Sequence, residues 1–326
     1  MTDVATNLTM ENVFDEKEAE AAPGGNTVGA FLAHLVNERN DIVVLSADMG
    51  GALAQLREQH PEKYVELGIS ETNTVSIACG IAASGFTTYI LSMAPFGVLK
   101  TAEQLRADAT SMHLPVRLIA RLSGLAMGFF GASHHAVEDI AVARSLTNMT
   151  VVATSDRNQL VALLRSTVDV PGPVYIRVSE GITREIYPTI PTIERGKFLV
   201  AREGTDFTII GTGLGVEAAL GAADLLEEEG VSTKVLDAAY LKPIDEEAIV
   251  AAASHGPVLT VEEHNVIGGL GTAVGEVIAR HGIATKFRIF GLPDIDLEVS
   301  LPPVLIEHYG LTPNGVLAQA KGLLGS

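Results

Sequence analysis

Val65-Glu66-Leu67-Gly68-Ile69-Ser70-Glu71-Thr72-Asn73 runs directly into an Ala/Gly-rich stretch from Val75 to Gly85. The first part has the pattern of a short buried strand closed by a tight turn at glycine. The second has the pattern of a helix whose small side chains let a neighbour pack closely. An acid, Glu71, stands at the junction. One reading makes it a surface residue: Ser70 caps the helix and Glu71 complements the helix dipole from the first turn. The other makes it a buried acid with a chemical task. The choice between them decides what the protein does.

Outward from this junction, apolar runs alternate with helical periodicity. Strands are expected at Ile42–Ser46, Tyr64–Leu67, Thr87–Leu91, Val116–Arg121, Val151–Thr154 and Val174–Val178, and helices at Thr27–Asn37, Thr101–Met112, Val137–Ser145 and Arg157–Ser166. Such alternation needs crossover connections and gives a mainly parallel sheet. A proline-bearing stretch, 188–196, separates this unit from a second one. There strands are expected at Phe207–Ile210, Thr233–Leu236 and Val258–Val261, and helices at Gly215–Glu229 and Gly271–His281. The predicted fold class is α/β, with two doubly wound domains over 26–187 and 197–326 and mainly parallel sheets. A polar, acidic segment over 1–25 is expected to be a flexible tail.

The 326 residues suit about two domains. Apolar residues make up 47% of the chain, enough for a large core, and aromatics only 5%. The single cysteine, Cys79, excludes an internal disulfide and sits among small helical residues as a packing group. A net charge of -18 argues against binding nucleic acid or an anionic membrane. No stretch is long and uncharged enough to span a bilayer, and the N-terminus lacks an apolar signal core, so a cytoplasmic protein is expected.

Several motifs carry a bland reading beside a functional one. Gly211-Thr212-Gly213-Leu214-Gly215, with Asp237 further on, suggests a dinucleotide fingerprint. Val216 stands where its third glycine belongs, so a plain strand-to-helix turn is favoured. His134 and His135 have no cysteine partner or carboxylate fork, which makes zinc improbable and leaves no metal site expected. Phe96 by default is a core aromatic, Asp48 a turn residue, and His134 a loop residue ahead of a helix. Together with Glu71, however, all of them fall where strand ends meet loops or helix starts, the place where open parallel sheets bind ligands.

At this level the chain resembles the transketolase family. Gly68-Ile69-Ser70-Glu71 before a small-residue helix is similar to the family's glutamate motif. Gly131-Ala132-Ser133-His134-His135-Ala136-Val137-Glu138-Asp139-Ile140-Ala141 resembles its Gly-Pro-Thr-His-Gln/His motif. Leu241-Lys242-Pro243-Ile244-Asp245, Glu262-Glu263-His264 with Gly268-Gly269, and Glu307-His308-Tyr309-Gly310 resemble the C-terminal domain. The resemblance runs from about Asn26 to about Gly322. It implies a pyrimidine-binding domain followed by a transketolase C-terminal domain, and thiamine diphosphate as cofactor. The family's Gly-Asp-Gly motif, which belongs to the diphosphate-binding domain, does not occur here. The resemblance therefore implies one subunit of a split enzyme. An N-terminal diphosphate-binding transketolase subunit would hold magnesium and complete a heterotetramer with two copies of each chain.

By resemblance, Glu71 would hydrogen-bond the aminopyrimidine and share a proton with it, favoured by burial against the small-residue helix. Phe96 would stack on the pyrimidine, Asp48 would approach the thiazolium, and His134 would contact the donor's oxygens and assist proton transfer. Arg177 stays in register with the family's phosphate-binding arginine. Phe130 stands where a sugar-reading aspartate is usual, Leu122 where a phosphate-binding histidine is usual, and Ala52 where a phosphate-binding serine is usual. With so weakened a clamp, either the substrate is not the standard pentose-phosphate pair or Arg121 substitutes. Two other readings remain open at this stage. One is the beta subunit of a 2-oxo acid dehydrogenase, and the other is a non-catalytic partner that only stabilises a complex.

Overall fold

The computed structural model describes residues 23–180 and 184–325. Most of the expected tail therefore lies outside the described residues. Its last part does not behave as tail, because helix α1 (Pro23–Glu38) starts four residues ahead of the expected Thr27.

The first sheet joins β1 (Ile42–Ser46), β2 (Tyr64–Glu66), β3 (Thr87–Met93), β4 (Val116–Arg121), β5 (Thr150–Ala153), β6 (Val174–Arg177) and β10 (Tyr240–Lys242) in the order β10-β5-β6-β4-β3-β1-β2. All pairings are parallel except that of β10. The second sheet, β12-β11-β8-β9-β7, is built from β7 (Leu199–Arg202), β8 (Phe207–Thr212), β9 (Thr233–Asp237), β11 (Val258–Asn265) and β12 (Phe287–Leu292), with only β7 antiparallel. Helices α2 (Glu71–Ala83), α3 (Asp139–Ser145), α4 (Arg157–Ser166), α5 (Leu214–Glu228), α6 (Glu246–His255), α7 (Leu270–Arg280), α8 (Pro302–His308) and α9 (Pro313–Leu324) flank the sheets. The chain thus has the expected α/β class with mainly parallel sheets.

Strand β10 ties the two halves of the chain together. It belongs by sequence to the second half yet pairs with β5 of the first sheet, where Tyr240 is buried and its hydroxyl meets that of Ser166. The core is shared in the same way. Leu45, Val75, Ala78, Ile140 and Val151 of the first half form one apolar cluster with Leu236, Ile249, Leu270 and Val274 of the second. The opposite face of the first sheet is closed by α1, α4 and the short helix Ala54–Gln59, through residues such as Leu32, Leu160, Leu163 and Leu56. Helices α5 and α9 cover one face of the second sheet. Each fully buried leucine of this kind contributes about 1.5–3 kcal/mol relative to exposure. The carboxyl edge of the first sheet is therefore held by packing from both halves.

A charge inside the sheet needs its own account. Arg117 of β4 is fully buried, and its guanidinium donates to the main-chain carbonyls of Thr167, Val168, Val170 and Gly172. Those carbonyls belong to the turn after α4, which would otherwise carry unpaired acceptors inside the protein.

Candidate active site

Glu71 opens α2 and is only 4% exposed. The turn before it is built around Glu66, whose carboxylate accepts the N–H groups of Asp48 (3.1 Å) and Gly68 (2.8 Å) and the Tyr64 hydroxyl (2.6 Å). Burial pushes the Glu66 carboxyl up, but these three donors outweigh it and hold it below the usual range. Burial, reinforced by Glu66, pushes the Tyr64 phenol up to about 12. Gly68 turns the chain with φ +64°, which side-chain-bearing residues adopt reluctantly. Ser70 precedes the helix but does not cap it, since its hydroxyl donates back to the Leu67 carbonyl at 2.7 Å. Glu71 instead faces Lys100, whose Nζ lies 2.7 Å from Oε2.

Lys100 follows a wide helical turn, Pro95–Leu99, at the end of β3. Phe96 and Lys100 are four residues apart on this stretch. Lys100 reaches Glu71, and the Phe96 ring meets His134 edge-on, with centroids 5.1 Å apart. The His134 ring also meets that of Phe130, with centroids 4.6 Å apart, and its Nδ1 lies 2.9 Å from the Ser133 hydroxyl. Where that hydroxyl donates, the imidazole proton sits on Nε2. The loop carrying His134 rests on the second half of the chain. A side chain at Gly128 would strike Leu305 of α8, and one at Gly131 would meet Val299. His135 points inward, buried, and burial pulls its ring below the usual histidine value. Asp48 is exposed after β1, with φ 60°. Glu71, Phe96 and His134 are thus linked through one short turn, and Asp48 lies at the same sheet edge.

The two expected phosphate-binding arginines are placed differently. Arg177 is 1% exposed, and its guanidinium donates to Asp139 (2.8 Å) and to the carbonyls of Ala136 and Glu263. In this structure its guanidinium is committed to the seam between the two halves. Arg121 does not stand free in its place: Nε and Nη2 both meet Glu180 Oε1, at 3.1 and 3.0 Å.

Three residues of this region escaped the sequence reading: Lys100, Glu66 and Glu180. Lys100 was detectable as the residue one helical turn beyond Phe96. Glu180 carries no local signal, because its partner lies on a neighbouring strand. At the Gly211–Gly215 motif, Asp237 faces inward to Ser155, Gln159 and Tyr187, and burial pushes its carboxyl up to about 7. A side chain at Gly215 would strike the Val261 carbonyl, so this glycine serves strand–helix packing. Among the described residues no group of three or more metal-capable side chains gathers, and no helix is long and apolar enough to cross a membrane.

Comparison with known proteins follows the same division of the chain. Residues 24–185 match the family model of the transketolase pyrimidine-binding domain, and residues 196–316 that of the transketolase C-terminal domain. The chain belongs to the transketolase family. It is 36% identical to a putative transketolase C-terminal section from Methanocaldococcus jannaschii, covering 87% of this chain and 90% of that one. It is 35% identical to one of the subunits of an apulose-4-phosphate transketolase from Phocaeicola vulgatus, over 89% and 93% of the two chains. Among solved structures it superposes on a split-gene transketolase, described as an inactive beta4 tetramer, with TM-score 0.86, 35% identity and coverage of 93% and 98%. It is related more distantly to 1-deoxy-D-xylulose-5-phosphate synthases, one of which, from Symbiobacterium thermophilum, is 32% identical; this chain spans 49% of its length. The chain is a transketolase-like subunit.

Proposed function

We propose that this chain supplies the pyrimidine-binding half of a thiamine diphosphate-dependent active site. In this reading it transfers a two-carbon ketol unit from a ketose to an aldehyde, together with a diphosphate-binding subunit. The reading rests on one observation: the Pro95–Lys100 stretch touches Glu71 at one end and His134 at the other. An aminopyrimidine needs a carboxyl sheltered from water and an aromatic wall, and Glu71 and Phe96 fit both requirements.

When bound, the cofactor supplies a carbon nucleophile that carries the ketol unit. Glu71 Oε2 would exchange its bond to Lys100 for one to the ring nitrogen, holding a proton there. Phe96 would fix the ring plane and exclude water. Nε2 of His134, oriented by Ser133 at Nδ1 and flanked by Phe96 and Phe130, would donate to or accept from the substrate's hydroxyl and carbonyl oxygens. Asp48 would stand toward the reacting carbon.

Dependence on a second subunit is supported by relatives that are themselves described as a section, a subunit or a split-gene chain. The chain spans nine-tenths or more of the M. jannaschii section, the P. vulgatus transketolase subunit and the split-gene transketolase chain. Magnesium and the diphosphate would be held by the partner, in an assembly with two copies of each chain. Co-expression with the diphosphate-binding subunit, followed by a donor–acceptor panel, tests this reading. Glu71→Gln should cut turnover by about 10²–10⁴-fold, the range for removing an acid–base group, while the complex still assembles. Undiminished turnover would return the chain to a purely structural role.

A further inference from the structure

At the carboxyl edge of the first sheet and the seam beside it, each of three cations has its own carboxylate. Lys100 pairs with Glu71, Arg121 with Glu180, and Arg177 with Asp139. Arg121 ends β4 in register with Met93 of β3, three residues before Phe96. On the other side Ala120 is in register with Arg177 of β6, and Glu180 follows three residues later. The Arg121–Glu180 pair therefore stands one strand away from the turn that carries Phe96 and Lys100. Its two side chains are only 8% and 10% exposed.

We propose that Glu180 determines the substrate class: the end of the substrate that reaches Arg121 is an unphosphorylated polyol. The inference rests on the ketol-transfer reading for its reaction but on the ion pair for its chemistry. Recognition of a phosphoryl dianion depends on charge-assisted forks from an arginine with free N–H groups. Here Nε and Nη2 are both taken by one oxygen of Glu180. A phosphate taking that fork would leave the carboxylate nearly buried, unpaired and close to a dianion, and one turning to the remaining Nη1 and Nη2 N–H groups would lie beside a carboxylate that already neutralises the guanidinium. Arg177 offers no replacement, since Asp139 holds it in a fully buried pair. A sugar hydroxyl meets no such conflict, because a closed ion pair presents oxygen acceptors and N–H donors with no net charge.

Two measurements separate this inference from the reading it builds on. In the first, wild-type chain, Glu180→Gln and Glu180→Ala are titrated calorimetrically with inorganic phosphate. At least 10-fold tighter phosphate binding in either folded variant than in wild type is expected. Equal affinity, or tighter binding by wild type, overturns the proposal whether or not the complex is active. In the second, the reconstituted complex is assayed with a ketose donor and its phosphate ester. Wild type should favour the free sugar by at least 10-fold in kcat/KM, and Glu180→Gln should shift that ratio toward the ester chiefly through KM. A wild-type preference for the ester, or a ratio that Glu180→Gln leaves unmoved, overturns it. A complex inert toward every donor defeats the ketol-transfer reading and leaves the phosphate titration to decide this one.

Discussion

Two regions of the molecule use the same side-chain types in opposite ways. At the seam between the halves, Asp139, Arg177, Glu262, Glu263 and His264 are all buried. Arg177 and Tyr175 both donate to Asp139, and Glu262 accepts the N–H groups of Leu270 and Gly271. Burial pushes Glu262 and Glu263 up to about 7 and His264 down to about 4. At the sheet edge, by contrast, Glu71 has a half-exposed lysine for its partner, on a stretch that also carries an aromatic ring. Strongly perturbed titration is a common marker of function, yet here it lies at the seam, where desolvation is greatest and the partners are fixed main chain. What distinguishes the edge is a sheltered acid whose partner can be exchanged from the solvent side.

The sharpest way to break this contrast is to remove the central acid of the seam. Asp139→Ala would strip Arg177 and Tyr175 of their shared acceptor in a fully buried setting. A loss of about 3–5 kcal/mol is expected, the usual consequence of leaving one member of a buried pair alone. Urea unfolding of the chain measures it. A loss under about 1 kcal/mol would mean that the seam is not structural in the sense argued here.

The next effect is a pH dependence. Glu263 accepts the Leu125 N–H through Oε1, while Oε2 has no partner, and burial raises its carboxyl from 4.5 to about 7. A raised carboxyl favours the protonated native state. Its stabilisation is complete below pH 4.5 and disappears as pH rises through about 7. Glu263→Gln removes this titration, so the variant should gain on wild type between pH 5 and 8, by at most about 3 kcal/mol at about 1.4 kcal/mol per pH unit. His264 acts in the opposite sense, losing stability as pH falls through about 4. Taking the difference between variant and wild type cancels it. A difference that stays flat with pH would show that Glu263 is ionised in the native state throughout.

The same contrast explains what could be read from the sequence. The alternation of apolar runs was enough for the parallel sheets, because strands buried on both faces leave a strong local pattern. The short β10 was not visible, because three residues carry no periodicity and its pairing with β5 is set by distant chain. The positions of Glu71, Phe96, His134 and Asp48 at the sheet edge were legible because strand ends and helix starts have local signatures; the roles given to them are proposals. The partner that Arg177 takes could not be read in the same way. Register along a strand says which residue reaches the sheet edge, but not whether an acid from another element has already taken its guanidinium. Asp139, on α3, does so. Glu180 was invisible for the same reason.

The smallest expected effect tests the edge directly. Lys100→Met removes a cation that is 48% exposed from a carboxylate that is 5% exposed. Much of that attraction is already screened by water, and the first turn of α2 continues to favour a negative charge at Glu71. The loss should therefore be about 0.5–1 kcal/mol, several-fold below that for Asp139→Ala, in the same urea titration. If both losses are of similar size, Lys100–Glu71 is a structural pair like the seam. Glu71 would then have no partner it can exchange, and the division between a working edge and a fixed interior would fail at the residue on which the function depends.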